Sequence, residues 1–286
     1  IWRYFYNIAL TKEQLEGRIK NLAKENNADP RLLMRLYMME RFIERASVSK
    51  YKDNFIIKGG ILVTSLVGIS LRSTLDIDST IKNQSISEND AKRMIDDICK
   101  IDIGDGVSSE VKDSSTIMDE MEYPGIRFTL NVIMDGLITP IKIDISTGDV
   151  ITPRAIEYQY NFLLEDRTAT LLSYNLETIL AEKLQAILNR ELLNTRMRDF
   201  YDIYVLFSMY ENTINVDVLK EAFYATCKKR NSINLIKNSN LLINTISNSD
   251  VLENRWNEYQ KKFAYVQGIS YEDTINNIKI LLAKIA

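Results

Sequence analysis

The spacing of apolar residues along the chain predicts helices at both ends and strands in the middle. Near the start, Thr11 and Gln14 form a capping-box pattern, and Asp29 followed by Pro30 is typical of a helix start. Residues 31–46 then carry apolar side chains at helical spacing, which indicates a helix packed on one face. The predicted C-terminal helices cover about 176–190, 196–209, 215–229, 250–264 and 271–285, with an Asn- and Ser-rich loop near 238–249.

The central segment has the alternation that is typical of strands. Residues 126–133 and 138–145 alternate apolar and polar side chains, and the Asp135-Gly136 pair between them predicts a tight hairpin turn. A third strand is predicted at 75–81. The other predicted central elements are a short apolar run at 54–57, a buried helix start at 61–67 and a capped helix from Ser87 to about Lys100. The pattern predicts an α+β fold, a small mixed sheet with an N-terminal helical layer and a C-terminal helical bundle.

Composition narrows the chemistry. The chain contains no histidine, which excludes histidine general bases, Ser-His and Cys-His nucleophile pairs, and most zinc sites. Cys99 and Cys227 are far apart and indicate neither a disulfide framework nor a thiolate metal site. The net charge of −3 means that any nucleic acid must be held by a local patch. Because the chain has no long apolar run and no signal-peptide pattern, we expect a cytoplasmic protein without a membrane partner.

Three carboxylates are the strongest candidates for chemistry. Asp76 and Asp78 stand two residues apart on the predicted strand 75–81, so their side chains point to the same side. Such a pair alone is most simply a solvated strand face. If the strand 138–145 lies beside it, Asp144 becomes a third acid over the same spot. Three carboxylates on one sheet face repel each other unless a cation lies between them, so we favour a Mg²⁺ site.

Two features near these acids could bind phosphate. Gly59-Gly60 follows a short apolar run and precedes a helix-like segment, where backbone N–H groups can bind phosphate. A simple tight turn explains the glycine pair equally well. Arg72 either reaches a phosphate or pairs with an acid.

Lys183 lies within the apolar stripe of the predicted helix 176–190 rather than opposite it. Such a lysine either extends past the edge of the core or points into a cleft that holds an anion. We favour the cleft because a buried cation needs a partner. In the next predicted helix, Asp199 and Asp202 lie about one turn apart on one side. An ordinary surface ion pair between Arg198 and Asp202 would explain the second acid without any function.

Three blocks in order resemble one known family. They are KGG-x11-R-x-T-x-DID from Lys58, KIDISTGD from Lys142, and AEKLQAILNRELLNTRMRDFYDIYVL from Ala181. Together they resemble the AbiEii/AbiGii family of nucleotidyltransferase toxins, within the DNA polymerase β-like nucleotidyltransferase superfamily, over about residues 54–210 plus a helical C-terminal region. The resemblance implies that residues 1–165 combine N-terminal helices with a nucleotidyltransferase core, and that residues 166–286 form a helical domain.

The resemblance also implies roles for individual residues. Those it implies to be catalytic are Asp76, Asp78, Asp144, Lys183 and Asp199. Those it implies to bind the nucleotide are Lys58, Gly59, Gly60, Arg72, Lys183 and Asp202. The implied metal ligands are Asp76, Asp78 and Asp144. Within these sets the glycines hold the nucleotide phosphates, and Asp144 helps with the metal or activates the acceptor. Lys183 contacts the triphosphate, and Asp199 is the essential acid of its R-D-x-x-D block.

Taken together, the resemblance implies a bacterial toxin of a type IV toxin–antitoxin pair that acts in abortive-infection phage defence. With Mg²⁺ it would transfer a nucleoside monophosphate from an NTP to an acceptor hydroxyl, preferably at the 3′ end of tRNA. Its partner would be a winged-helix antitoxin that also represses the operon, and we expect the toxin itself to be a monomer. Two alternatives stay open: the same chemistry on a protein or small molecule, and a non-catalytic helical interaction protein whose acids are merely solvated.

Overall fold

The structure is a computed structural model that describes residues 9–82, 87–117 and 125–286. The chain divides into two compact units, which are the residues up to Asp149 with Ile156–Ser173, and Val150–Ala155 with Tyr174–Ala286. The predicted mixture of helices and strands is confirmed, and the strands all lie in the first unit. None of the helices within the described ranges is both long and apolar enough to cross a membrane.

The first unit contains four helices and a mixed sheet among its described residues. Its elements are α1 Lys12–Glu25, α2 Pro30–Val48, β1 Phe55–Lys58, α3 Gly59–Val67, β2 Asp76–Ile81, α4 Glu88–Cys99, β3 Ser108–Ile117, β4 Gly125–Met134, β5 Leu137–Thr147, β6 Ile156–Asn161 and β7 Thr168–Ser173. The strand order is β3-β4-β5-β2-β1-β7-β6. Strands β2 and β5 run parallel in the middle of this sheet, as do β1 and β7, and the other neighbours are antiparallel.

Local sequence signals account for several element boundaries. Thr11 and Gln14 complete the predicted capping box of α1, and the Asp29 side chain accepts a hydrogen bond at the start of α2. The β4–β5 hairpin turns at Asp135 and Gly136, whose φ angles of 45° and 77° are those a tight primed turn requires. The predicted hairpin is therefore confirmed.

The second unit is helical. Its α-helices are α5 Leu176–Arg190, α6 Met197–Tyr210, α7 Val216–Lys229, α8 Asn234–Ser247, α9 Asp250–Lys262 and α10 Tyr271–Ile285. Five of them match predicted helices to within a few residues. The prediction of a loop near 238–249 is wrong, because most of that segment belongs to α8. Burial of Leu235, Ile243 and Ile246 on one face of α8 outweighs the weak helix propensity of its Asn and Ser residues.

A buried carboxyl in the first unit makes stability depend on pH. Glu40 on α2 is 2% exposed and accepts hydrogen bonds from the Leu163 N–H at 3.1 and 3.0 Å. Burial raises the pKa of Glu40 to about 8, although the Leu163 N–H and the charge of Arg41 oppose the rise. Because the pKa in the folded state lies above the unfolded value, the protonated form stabilises the fold. This contribution is present below about pH 4.5 and is lost as the pH rises through about 8.

We therefore expect the thermal unfolding midpoint of the wild type to fall between pH 6 and pH 9, and that of Glu40→Gln to fall much less. At about 1.4 kcal/mol per pKa unit, the titration accounts for several kcal/mol across this window. Glu25→Gln, at the exposed end of α1, is the matched control and should follow the wild type. Parallel pH curves for the wild type and Glu40→Gln would contradict this assignment.

Candidate active site

Three acids share one face of the sheet. Asp78 on β2 lies directly beside Asp144 on the parallel strand β5, and Asp76 lies beside Lys142. Ile77, between the two acids of β2, is fully buried on the other face. The alternation in the sequence therefore predicted correctly that Asp76 and Asp78 share a face. The condition under which Asp144 joins them, that the two strands are neighbours, is met in the structure. We call Asp76, Asp78 and Asp144 the carboxylate face.

The glycine pair packs against this face. Helix α3 begins at Gly59, and the backbone N–H of Gly60 donates a hydrogen bond to Asp78 Oδ2 at 2.9 Å. A Cβ atom on Gly59 would lie 2.3 Å from the same oxygen, and one on Gly60 would lie 2.6 Å from Thr74 Oγ1. Gly59 also has a φ of +58°. The two glycines thus allow a helix N-terminus to approach a carboxylate more closely than any other residue would.

Gly59→Ala is expected to lower the free energy of unfolding by about 2 kcal/mol or more, because it combines a left-handed backbone angle with a clash at Asp78. Urea unfolding of the purified protein measures this loss. Gly17→Ala is the control: it lies in α1 with open space around its Cβ position, so it should leave stability unchanged or raise it by up to about 1 kcal/mol. Equal effects of the two substitutions would show that the contact with Asp78 does not constrain Gly59.

Asp76 is the acid of this face that lacks a protein partner. Its half-buried side chain forms no hydrogen bond or salt bridge with any of the described residues. Burial raises the pKa of Asp76, and the charge of Asp144 raises it further, while Arg127 and Lys142 act in the opposite direction. An unpaired carboxylate next to other acids is a natural position for a cation.

Asp144 is engaged by a residue that the sequence analysis did not identify. Arg127 on β4 donates from Nε to Asp144 Oδ1 at 2.7 Å and from Nη2 to Oδ2 at 2.6 Å. The two residues are direct cross-strand neighbours in the β4–β5 hairpin. The signal was present in the sequence, since counting back from the turn at Asp135-Gly136 pairs residue 127 with residue 144.

The pairing of Asp144 with Arg127 affects the predicted metal site. Within residues 9–82, 87–117 and 125–286, no three His, Cys, Asp or Glu side chains are gathered so that they could hold a metal ion. Asp76 and Asp78 remain as two carboxylates on one side of β2, and Asp76 has no hydrogen-bond or salt-bridge partner within the described ranges. This pair fits Mg²⁺, which usually takes one or two carboxylates and completes its shell with water and phosphate oxygens.

The two other predicted nucleotide contacts in this unit have protein partners. Lys58, at the end of β1, lies 2.5 Å from Asp149, which also accepts a hydrogen bond from Ser146 at 2.7 Å. Arg72 is 1% exposed, and its guanidinium donates to the carbonyl of Ser73. Arg72 is thus an interior residue here, and nucleotide contact by Lys58 or Arg72 stays a prediction.

A second cluster of charged side chains lies in the helical unit. Lys183 Nζ on α5 lies 3.1 Å from Asp199 and 2.6 Å from Asp202, one turn apart on α6. The two carboxylates are 5% and 0% exposed, and Arg196 approaches Asp199 to 3.2 Å. The partner that a lysine in an apolar stripe requires is this pair of acids. Asp202 pairs with Lys183, and the Arg198 guanidinium instead lies over the ring of Phe263 at 5.9 Å.

Comparisons with known proteins identify a matching family and solved structures with a similar fold. The family model described as "Nucleotidyl transferase AbiEii toxin, Type IV TA system" matches residues 41–277. A candidate nucleotidyltransferase from H. pylori has a similar fold, with a TM-score of 0.50, 17% identity, and coverage of 90% of this chain and 95% of that one. The structure of JHP933 from Helicobacter pylori is also similar, with a TM-score of 0.48, 18% identity and coverage of 87% and 88%. No curated protein matches the chain.

Proposed function

The chain belongs to the AbiEii family of nucleotidyltransferase toxins of type IV toxin–antitoxin systems, and from this we propose that it transfers a nucleoside monophosphate from an NTP to tRNA. The acceptor hydroxyl attacks the α-phosphorus, the bond to the β-phosphate oxygen breaks, and pyrophosphate leaves. The hydroxyl proton passes to a carboxylate of the face. The observation that carries the proposal is the carboxylate face itself, in which Asp144 lies beside Asp78 and Asp76 has no partner among the residues that the structure describes.

The acids of the carboxylate face and the glycine pair each have a defined role in this proposal. Asp76 and Asp78 would hold Mg²⁺, which would supply positive charge beside the phosphates and make the attacking hydroxyl more acidic. The N-terminus of α3 at Gly59 and Gly60 favours negative charge nearby through its N–H groups. Mg²⁺ would bind Asp144 only by competing with Arg127 for its two oxygens.

Features of the helical unit support RNA as the acceptor. Lys261 and Lys262 are exposed at the end of α9, and the half-buried ring of Phe263 follows them. The Tyr265 ring lies 5.4 Å from Phe263, and the Arg198 guanidinium lies on the same ring. Aromatic rings beside cations are typical of surfaces that hold single-stranded RNA.

Membership of a type IV system implies an antitoxin partner, and a role in phage defence is part of the same proposal.

A labelling experiment tests the acceptor. Each α-³²P-labelled NTP is incubated with Mg²⁺ and the toxin, alone or with total tRNA or with a protein extract. We expect label in the tRNA fraction for at least one NTP. Label in protein or in small molecules instead would favour the alternative acceptors, and no label in tRNA for any NTP would refute the tRNA proposal. NTP binding that requires Mg²⁺ and is lost in Asp76→Ala would distinguish a nucleotidyltransferase with any of these acceptors from a non-catalytic protein.

A further inference from the structure

Arg127 uses only part of its guanidinium in its contact with Asp144, and the other part can bind a ligand. Two of its five N–H donors bind Asp144 side-on, through Nε and Nη2. The remaining three donors have no hydrogen-bond partner among the residues that the structure describes. The Arg127 side chain is 34% exposed, whereas that of Asp144 is 15% exposed. Arg127 therefore presents a fixed, partly open fork of the kind that binds phosphate bidentately.

Arg127 is also the cation with the largest effect on the pKa of Asp76. The hydrogen bonds that Arg127 donates to Asp144 are the main cause that raises the pKa of Arg127, and the charges of Asp76 and Asp78 add to the rise. Lys142 also lowers the pKa of Asp76, with a smaller effect than that of Arg127, and its side chain is exposed. Arg127 thus offsets part of the repulsion among the three acids that share this face.

We propose that Arg127 is a triphosphate-binding residue that Asp144 holds as a counter-cation until a divalent cation reaches the face. A divalent cation supplies the positive charge that Asp144 otherwise obtains from Arg127, so the side-on pair weakens when the cation binds. The guanidinium, which lies at the edge of the same face, is then available to the phosphates. This inference rests on the proposed function only in taking an NTP as the ligand, because it concerns binding and not transfer.

Removal of Arg127 should act in opposite directions on two affinities, the affinity for a divalent cation alone and the affinity for the complex of that cation with a nucleotide. Without the competing guanidinium, the face is more negative, and a divalent cation alone binds more tightly. Without the phosphate contact, the complex of that cation with a nucleotide binds less tightly. A purely structural role of Arg127 would move both affinities in the same direction.

The experiment measures both affinities on the full chain. Binding of Mn²⁺ alone is followed by electron paramagnetic resonance of the free ion, and binding of Mn²⁺ with α,β-methylene NTP analogues is followed by calorimetry. For Arg127→Met we expect Mn²⁺ to bind several-fold more tightly and the analogue complex to bind about tenfold or more weakly, as is typical of a lost charged hydrogen bond. Arg93→Met is the control, because Arg93 forms an exposed pair with Asp90, and it should behave as the wild type.

Parallel changes in the two affinities, or an unchanged affinity for the analogue complex, would overturn the proposal. If Arg127→Met does not fold, Arg127→Lys provides the same comparison, because lysine keeps the charge and loses the side-on fork. Its effects should have the same opposite signs and smaller size, and parallel changes would again overturn the role. Opposite shifts in a protein that labels no acceptor would support Arg127 while refuting the proposed transfer. Labelled tRNA with parallel shifts would refute only the role of Arg127.

Discussion

Asp76→Asn is expected to abolish nucleotidyl transfer while making the protein more stable to heat. The loss of activity should exceed about a thousandfold, because the variant loses a carboxylate that holds the metal against the reacting phosphates. The gain in stability follows from the raised pKa of Asp76, since burial and the charge of Asp144 both disfavour its ionised form. A neutral side chain removes both penalties, and the half-buried amide still reaches water.

Transfer of label from NTP and the thermal unfolding midpoint, measured on the same preparations, test this pair of effects. Asp113→Asn, on the exposed edge strand β3, is the matched control and should change neither quantity. Full activity in Asp76→Asn would refute the metal-binding role. If the variant loses both activity and thermal stability, Asp76 is needed for folding, and its negative charge does not lower the stability of the folded protein.

The parts of this site that the sequence predicted are those that depend on local periodicity. Strand β5 alternates isoleucines with polar residues, and the tight turn at Asp135-Gly136 fixes its partner, so the face on which Asp144 lies follows from a period of two. The same reasoning placed Asp76 and Asp78 together. The pairing of Arg127 with Asp144 follows from the same hairpin register, but finding it requires counting residues back from the turn along both strands.

Two of the elements that the sequence analysis did not predict, β3 and α8, lack such a pattern. Strand β3 is an edge strand with few apolar residues and no fully buried one, so no apolar–polar alternation marks it in the sequence. Helix α8 is rich in Asn and Ser, and only its buried face reveals it. The counter-charges of Lys183 come from a different helix, and no local rule identifies which acids meet a buried lysine.

Lys183→Met should cost the protein about 3–5 kcal/mol of unfolding free energy, which is typical of breaking one side of a buried ion pair. Lys183 is 12% exposed and lies between Asp199 and Asp202, which are 5% and 0% exposed. Arg196 remains within 3.2 Å of Asp199 in the variant, whereas Asp202 loses its contact at 2.6 Å. Lys237→Met, at an exposed position of α8, should leave urea unfolding unchanged.

Loss of stability would by itself obscure any role of Lys183 on the nucleotide, and a triple variant separates the two. Replacing both acids in Lys183→Met/Asp199→Asn/Asp202→Asn removes the two buried negative charges that have lost the lysine, so most of the lost stability should return. If Lys183 and Asp199 act on the nucleotide, the stable triple variant still transfers no label. A stable triple variant with full transfer would show that the three charges serve only the fold. A triple variant no more stable than Lys183→Met would show that packing of the lysine stem, rather than its charge, supports the helical unit.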